Sequence, residues 1–337
     1  MKAAIIGFGR MGQRHLQIAR DLGIEVVGIC DQNAAILASV GSKLDIPEGV
    51  LYQDAGAMLK GTHPECVIVA TTAPSHCELT CFAAQNGANY ILCEKPMAVS
   101  LNQCDEILKA CRGMGARLAI NHQMRFMEQY REPKRIVHSE EFGGLCSVTV
   151  VAGNFGMAMN GTHYFEMFRY LTGEDPVEAQ AWFSPGKVPN PRGPQFEDRA
   201  GSVRLTTRSG KRFYMEIGAD QGHGMQVVYA GPHGRLTVDE LAGRMHLAVR
   251  KREHRSLPTT RYGMPWTETA TGIQPADAVA PSRQVLKSLL KDNNYPTGEH
   301  GRLAVAALAA AYVSDENGHV PVKIDNGLPL DRIFPWA

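Results

Sequence analysis

A glycine-rich turn near the start of the sequence has the spacing of a dinucleotide-binding loop. Three glycines follow the apolar run Ala3-Ala4-Ile5-Ile6, a predicted buried strand, and precede a helical pattern. In this setting the first glycine permits a tight turn, the second lets a pyrophosphate approach the backbone, and the third lets helix and strand pack closely. The helix start would hold the anion through its N–H groups. The predicted cofactor contacts in this loop are Gly7, Phe8, Gly9, Arg10, Met11 and Gly12.

A carboxylate at the end of the second predicted strand indicates which dinucleotide binds. Asp31 follows the strand at 25–30 and is itself followed by Gln32 and Asn33. A carboxylate there accepts hydrogen bonds from the adenosine ribose hydroxyls and repels a 2′-phosphate, and neither following residue supplies a cation. NAD is therefore predicted in preference to NADP, with Asp31 and Gln32 as contacts. The alternative role for Asp31 is a helix N-cap.

Two further side chains have the chemistry of a reaction centre. Lys95, within Glu94-Lys95-Pro96, stands at the carboxyl end of a predicted parallel strand, where open α/β sheets bind ligands. His163 begins an apolar helix and titrates near neutrality, so it suits proton exchange with a substrate hydroxyl. From spacing alone, a surface ion pair for Lys95 and a structural, hydrogen-bonded histidine at 163 stay open as alternatives.

The remaining reactive and charged residues predict no second site. Cys77 and Cys81 flank one helical turn beside His76, but no second ligand pair lies nearby, so buried free thiols and no metal are predicted. The 35 basic and 34 acidic residues nearly cancel, and the basic run at 250–255 is predicted to be a solvated strand end or loop. This balance argues against nucleic-acid and anionic-membrane partners. The longest apolar stretch, 303–313, is too short to span a bilayer, and a cytoplasmic location is expected.

The elements that would position these residues fall into two patterns. Up to Asn121, apolar strands at 3–6, 25–30, 65–70, 90–93 and 117–121 alternate with helices at 9–22, 33–44, 75–87 and 100–114. Ser75 with Glu78 and Ser100 with Gln103 are predicted capping boxes. This alternation predicts an α/β Rossmann domain with a doubly wound parallel sheet, residues 1–121, which binds NAD.

Alternating strands dominate the second pattern, residues 122–337. After a helix at 124–138, the predicted strands are 145–152, 202–207, 211–217, 225–229, 235–238 and 246–251, and the predicted helices are 161–171, 282–290 and 299–313. Turns such as Ser184-Pro185-Gly186 and Gly231-Pro232-His233-Gly234 separate the strands. The pattern predicts an α+β C-terminal domain with a largely antiparallel open sheet, for substrate binding and oligomerisation.

In this order the motifs resemble those of the Gfo/Idh/MocA oxidoreductase family, over essentially the whole chain. The glycine loop with His15 resembles the family's start, and Cys93-Glu94-Lys95-Pro96 matches its E-K-P signature. Residues 69–76 resemble its loop beside the nicotinamide ribose, residues 121–126 its entry to the second domain, and residues 298–301 and 311–314 its closing helix. The resemblance implies further cofactor contacts at Thr71, Thr72, Pro74, His76, Glu94 and Lys95.

The resemblance also implies roles for individual residues. Lys95 would contact substrate near the nicotinamide, and His163 would serve as acid and base. Many members carry an aspartate four residues before this histidine, where this chain has Met159. Arg125 could pair with a carboxylate or phosphate of the substrate, or form a structural ion pair. The nominated substrate contacts are Asn121, Arg125, Asn160, Thr162 and Tyr164.

The predicted function is that of an NAD-dependent oxidoreductase. It would transfer a hydride between a secondary hydroxyl of a sugar, polyol or sugar derivative and nicotinamide, as a homodimer or homotetramer. Two alternatives stay open. One is a dinucleotide-dependent sugar sensor without turnover, and the other is an enzyme of the epimerase or glycosidase type that retains NAD and uses it transiently.

Overall fold

The computed structural model describes residues 1–185, 190–275 and 277–337. Gly186, in one predicted turn, lies outside them. The described chain forms two compact units: the first is Met1–Gln123, Ala278–Val305 and Pro329–Ala337, and the second is Met124–Asp277 and Ala306–Leu328. A single cut at Asn121 therefore does not separate them. The assignment of NAD binding to residues 1–121 and of substrate binding and oligomerisation to residues 122–337 stays a prediction.

The first unit contains a six-stranded parallel sheet. Its order is β3-β2-β1-β4-β5-β6, so the chain moves outward from β1 in both directions, as in a doubly wound Rossmann fold. Every residue of β4 and all but one of β5 are buried, as expected for a sheet covered on both faces. The strands are β1 Lys2–Ile6, β2 Glu25–Cys30, β3 Leu51–Tyr52, β4 Cys66–Val69, β5 Tyr90–Cys93 and β6 Arg117–Ile120.

The helices agree with the predicted pattern in type and mostly in extent. An additional helix, α3, was not predicted, and neither was the two-residue strand β3. The helices are α1 Arg10–Asp21, α2 Ala34–Lys43, α3 Ala55–Thr62, α4 His76–Gln85, α5 Leu101–Met114, α6 Glu128–Val137, α7 Thr162–Thr172, α8 Val279–Lys291 and α9 Gly298–Glu316. The segment before α9 lies on the edge of β6, where Ile120 N donates to Pro296 O at 2.9 Å. This contact helps to explain why residues 278–305 belong to the first unit.

Only one of the two predicted capping boxes caps its helix. Ser100 Oγ accepts from Gln103 N at 3.1 Å and caps α5, as predicted. The prediction at Ser75 is wrong: this residue has helical backbone angles, and its hydroxyl donates to Thr71 Oγ1 at 2.7 Å instead. A hydroxyl turned towards the preceding loop is not available to the N–H groups of α4.

The second unit contains a nine-stranded sheet, largely antiparallel as predicted. Its order is β14-β13-β12-β11-β7-β10-β9-β8-β15, and the central pair β7 and β10 is parallel. Strands β8, β14 and β15 were not predicted. The strands are β7 Ser147–Gly153, β8 Pro176–Phe183, β9 Gly201–Thr207, β10 Arg212–Gly218, β11 Gln226–Ala230, β12 Gly234–Asp239, β13 Arg244–Arg250, β14 Trp266–Gly272 and β15 Val322–Lys323.

Helix α7 packs its apolar side on this sheet. The rings of Phe165 and Phe168 lie 5.9 and 5.5 Å, centroid to centroid, from that of Phe213 on β10. A π-helical turn, Met157–Gly161, leads directly into α7, so the helix begins one turn earlier than its regular part. The apolar packing fixes the helix on which His163 stands. Among the described helices, none is long and apolar enough to cross a membrane.

Candidate functional site

The glycine loop is closed on its protein side and open at its centre. Gly7 has φ +91°, and a Cβ there would lie 2.7 Å from the carbonyl carbon of Ala70. A Cβ on Gly12 would collide with the carbonyl oxygen of Gly7. At Gly9 no atom of a described residue other than its chain neighbours lies within 4 Å of that position. Because α1 starts at Arg10, its N–H groups lie beside this opening, and the loop fits a dinucleotide pyrophosphate.

Asp31 joins this loop to the end of β2. Its Oδ2 accepts from Phe8 N at 2.8 Å, and its Oδ1 accepts from Asn33 N at 2.9 Å. The N-cap of α2 is Asn33, whose side chain accepts from the N–H groups of the first turn, so the N-cap role considered for Asp31 is wrong. Each carboxylate oxygen can accept a second hydrogen bond, which leaves capacity for ribose hydroxyls. The neighbouring Gln32 is exposed.

Glu94 is a buried carboxylate held in its ionised form. Its Oε1 lies 2.8 Å from His15 Nε2 and accepts from Asn121 Nδ2 at 2.8 Å. Burial favours a higher pKa for Glu94, but the hydrogen bond and charge of His15, the charge of Lys95 and the Asn121 amide outweigh it and lower the pKa to about 2. An ionised Glu94 accepts only, so His15 donates through Nε2.

Lys95 itself is only 9% exposed, which rules out the surface ion pair considered for it. The loop that carries Lys95 is fixed on both sides. His76 Nδ1 lies 2.8 Å from Pro96 O and its Nε2 lies 3.2 Å from Thr71 O, which ties the loop after β4 to the loop after β5. Further along, Trp336 Nε1 donates to Ala98 O at 3.0 Å.

The predicted cofactor contacts after β4 differ in exposure. Thr71 and Thr72 are half-buried and Pro74 is exposed, whereas His76 is fully buried. The ring of His76 therefore lies inside the first unit, and its observed partners are backbone carbonyls. Direct contact of these four residues with a cofactor stays a prediction.

In the second unit, His163 is the second residue of α7 and is 4% exposed. A carboxylate that sequence reasoning missed lies at the start of the preceding turn. Asp198 accepts from Ala158 N at 2.7 Å and from Met159 N at 2.9 Å. A side chain on Gly156, which has φ +80°, would collide with the Asp198 carboxylate. Asp198 therefore neutralises the positive end of the segment that carries His163.

Arg125 and Tyr164, both nominated as substrate contacts, bond within the second unit. Arg125 forms a buried ion pair with Glu166 of α7, and its guanidinium carbon lies 5.1 Å from the centre of the Tyr170 ring. The Tyr164 hydroxyl donates to Glu240 Oε2 at 2.9 Å. The structural ion pair considered for Arg125 is thus present, and substrate contact by either residue stays a prediction.

The other nominated substrate contacts also have partners within their own unit. Thr162 Oγ1 donates to Ala158 O at 3.0 Å, and Asn160 Nδ2 donates to Phe155 O at 2.9 Å. In the first unit, Asn121 uses its amide nitrogen for Glu94, and its Oδ1 has no hydrogen-bond partner among the described residues. Of these three, Asn121 has a buried acceptor to offer.

The cysteines are free thiols, as predicted. Cys77 is buried on α4 with its Sγ 3.4 Å from Glu106 Oε2, and Cys81 is half-buried. A hydrogen bond between these two thiols and burial raise the pKa of Cys77, which makes it a poor nucleophile.

Comparison with known proteins agrees with this architecture. The family described as "Oxidoreductase family, NAD-binding Rossmann fold" (GFO_IDH_MocA) matches residues 1–122. Inositol 2-dehydrogenase of Pseudomonas savastanoi pv. phaseolicola is 30% identical over 259 residues, 71% of this chain and 74% of that protein. D-apiose dehydrogenase of Paraburkholderia graminis is 32% identical over 190 residues, so the match covers 51% of this chain and only half of that protein's length.

A solved structure shares the fold over nearly the whole chain. It is an oxidoreductase from Agrobacterium radiobacter in complex with NAD+, L-tartaric acid and magnesium, with a TM-score of 0.80, 19% identity, and coverage of 96% of this chain and 98% of that one. The predicted fold class, NAD as cofactor and the dehydrogenase class are confirmed by these comparisons together. This chain belongs to the Gfo/Idh/MocA family of oxidoreductases.

Proposed function

We propose that this protein oxidises a secondary hydroxyl of a sugar, polyol or sugar derivative with NAD, or catalyses the reverse reduction. The observation that carries the proposal is the fixation of the loop on which Lys95 stands. This lysine stands in a fully buried loop after β5, beside an ionised carboxylate that is itself held by His15 and Asn121. A flexible surface lysine would need no such support, whereas a lysine that must point at a reacting oxygen would.

NAD is the group that the first unit fits. The N–H groups at the start of α1 and the open position at Gly9 would receive the pyrophosphate, and Asp31 would accept from the adenosine ribose. Thr71, Thr72 and Pro74 lie on the loop after β4, next to β1 in the sheet, where a ligand at the strand ends would pass. When bound, NAD supplies a hydride acceptor at its nicotinamide ring.

The chain's own contribution is proton control and orientation. Lys95 donates a hydrogen bond to the reacting substrate oxygen and stabilises the negative charge that develops there. His163 takes the hydroxyl proton on an imidazole nitrogen in oxidation and returns it in reduction.

The relatives support a polyhydroxylated substrate. The two relatives are named for inositol and D-apiose, and the solved structure from Agrobacterium radiobacter is a complex with L-tartaric acid. All three molecules carry adjacent hydroxyl groups. Amides, hydroxyls and an ammonium group are the side chains that bind such hydroxyls, and this chain offers Asn121, Asn160 and Thr162 as candidates.

A substrate panel with matched variants tests the proposal. Purified protein is mixed with NAD or NADP and with inositols, aldoses, D-apiose or tartrate, and NADH absorbance is followed. His163→Ala and Lys95→Met should each lower kcat by about 10²- to 10⁴-fold, the usual contribution of acid–base groups. The exposed His223→Ala and Lys109→Met should retain wild-type rates. Unchanged turnover in either site variant would remove that residue from the mechanism.

A sugar sensor without turnover is the second candidate, because Met159 stands where many family members have an aspartate. The thioether of Met159 and the amide of Asn160 cannot replace a carboxylate base. The Asp198 carboxylate accepts from the N–H groups of Ala158 and Met159. Saturable sugar binding by calorimetry in the presence of NAD, without NADH formation for any sugar of the panel, would favour the sensor. NAD that survives purification and dialysis would instead favour the enzyme that retains its cofactor.

A further inference from the structure

The second unit contains a buried carboxylate surrounded by tyrosines. Glu240 directly follows β12 and is only 2% exposed. Tyr130 of α6 donates its hydroxyl to Glu240 Oε1 at 2.7 Å, and Tyr164 of α7 donates to Oε2 at 2.9 Å. The hydroxyl of Tyr229, on β11, is also buried and has no hydrogen-bond partner among the described residues. Glu240 thus joins both helices to the sheet.

The geometry of this cluster depends on the charge of Glu240. Two hydroxyls donating to two different oxygens is an arrangement that a carboxylate accepts fully. In the protonated acid one oxygen carries the hydrogen and donates to the tyrosine that faces it, so this tyrosine accepts instead of donating and its hydrogen bond is no longer charge-assisted. The groups that face Glu240 are Tyr130, Tyr164, Tyr229 and the neighbouring Asp239. Protonation would therefore weaken the link between the two helices and the sheet.

Glu240 changes charge in the range where enzymes work. Burial raises its pKa, the hydrogen bonds from Tyr130 and Tyr164 lower it, and the charge of Asp239 raises it, with a resulting value of about 7. Both forms of the cluster are consequently populated near neutral pH.

Tyr164 connects this cluster to His163, its neighbour on α7. Consecutive helical side chains point about 100° apart, so the Tyr164 anchor sets the rotation of the helix and, with it, the direction of the His163 ring. Phe155 stacks on the Tyr164 ring with 5.4 Å between centroids, so the tyrosine is held along its ring and at its hydroxyl. The anchor is one residue from the proposed acid and base.

We propose that Glu240 is a positioning residue for His163. The ionised carboxylate holds Tyr164 by a charge-assisted hydrogen bond and keeps the first turn of α7 in the orientation that His163 needs, and protonation of the carboxylate weakens this anchor. The role rests on the proposed function of His163. It adds a second group that must lose its proton before oxidation proceeds at full rate.

The pH dependence of Glu240→Gln is the first test. Glutamine has the size of glutamate, but it accepts from one tyrosine only and does not titrate. In wild-type protein kcat should fall about tenfold more than in Glu240→Gln as the pH drops through the range around 7, because Glu240 gains a proton there and glutamine does not. In Glu240→Gln this additional fall should be absent, and kcat at about pH 8.5 should be roughly tenfold lower than in wild type at an unchanged KM for NAD. An unchanged pH profile would overturn the proposal.

Two tyrosine variants form a matched pair. Tyr164→Phe and Tyr130→Phe each remove one hydroxyl that donates to Glu240, but only the first disconnects α7. Tyr164→Phe should lower kcat about tenfold, as Glu240→Gln does, and Tyr130→Phe should stay within about twofold of wild type. Equal losses in the pair would mean that the carboxylate supports the fold in general, and the positioning role would be wrong. This pair decides the question even where Glu240→Gln folds poorly.

A measurement without turnover separates this proposal from the proposed function. The NMR signal of His163, labelled with ¹³C in the ring and assigned with His163→Ala, should show two steps with pH in wild-type protein and one step in Tyr164→Phe. A single step in wild type would contradict the link to Glu240. Full activity of His163→Ala beside a two-step titration would contradict only the catalytic role of His163.

Discussion

The glycine loop shows how differently three similar residues are constrained. At Gly9 a methyl group would meet open space, so Gly9→Ala should lower the free energy of unfolding by no more than about 1 kcal/mol, the loss expected from alanine at this N-cap position. The same methyl group would occupy the space that we assign to the pyrophosphate, so the Kd for NAD should rise about tenfold or more. Thermal unfolding without NAD and calorimetric titration with NAD measure the two effects.

Gly12→Ala is the matched control, with the opposite expectation. Its methyl group would collide with the Gly7 carbonyl, and overpacking of this kind costs about 1–3 kcal/mol of stability. If Gly9→Ala bound NAD like wild type, the loop would not be the pyrophosphate site.

Asp31 gives a test of cofactor preference. Asp31→Asn keeps an oxygen that can accept from Phe8 N but removes the negative charge. We expect the ratio of kcat/KM for NAD to that for NADP to fall about tenfold, because repulsion of the 2′-phosphate disappears. Asp45→Asn, an exposed aspartate near the end of α2, should leave the ratio unchanged. An unaltered ratio in Asp31→Asn would place the ribose contact elsewhere.

Residues that belong to local motifs could be predicted, and residues that act across the sequence could not. The glycines of the loop, Asp31 and Lys95 are each recognisable from their immediate neighbours. Asp198 reaches a turn 40 residues away, and Glu240 bonds to tyrosines 76 and 110 residues away. No spacing rule connects such positions, because the contacts exist only once the sheet of the second unit has formed.

Helix starts provide the test at the scale of elements. Ser100→Ala removes the hydroxyl that caps α5 and should lower the free energy of unfolding by about 1 kcal/mol. Ser75→Ala removes a hydroxyl that caps nothing in α4, and we expect a smaller loss. Urea unfolding of both variants measures the difference. An equal loss would mean that the two helix starts are stabilised alike, against the observed geometry.

The elements that escaped prediction have physical reasons for it. Strand β2 agrees with the prediction to the residue, because it is a mainly apolar run bounded by polar residues. Helix α5 agrees to within one residue, because its buried side chains recur at helical spacing. Every residue of β14 is exposed, so no buried face imposes a period on Trp266–Gly272. Strand β3 has only two residues, and its existence depends on its neighbour β2.

For the molecule as a whole, two buried glutamates predict opposite effects of pH on stability. Glu94 has a pKa of about 2, below its ordinary 4.5. Its contribution to the free energy of unfolding is therefore complete above pH 4.5 and is lost as the pH falls towards 2. Glu240 has a pKa of about 7, above its ordinary 4.5. Its contribution to the free energy of unfolding is therefore complete below pH 4.5 and is lost as the pH rises to 7. Each effect is on the order of 3 kcal/mol.

Urea unfolding at several pH values checks these signs. Glu240→Gln should remove most of the loss of stability between about pH 5 and 8, and Glu94→Gln should remove the part of acid destabilisation that Glu94 contributes. The fluorescence of Trp336 reports the first unit, and that of Trp182 and Trp266 the second. A stability that rises between pH 5 and 8 in wild type, and equally in Glu240→Gln, would contradict the assignment for Glu240.

The division of the sequence between the units could be predicted only in part. The change in pattern near Asn121 marks the point where the chain leaves the first unit. The return of residues 278–305 and 329–337 to that unit is set by contacts such as Ile120 N to Pro296 O, which leave no periodic trace in the sequence.

The segment at 329–337 also affects the order in which the first unit can fold during synthesis. Trp336 and Phe334 bond to Ala98 and Val99, in the loop that carries Lys95, yet they emerge from the ribosome after the entire second unit. The glycine loop is thus synthesised early, whereas the residues that hold the loop of Lys95 are synthesised last. During synthesis the first unit therefore stays incomplete until residues 329–337 have been made, after more than half of the sequence has followed Gln123.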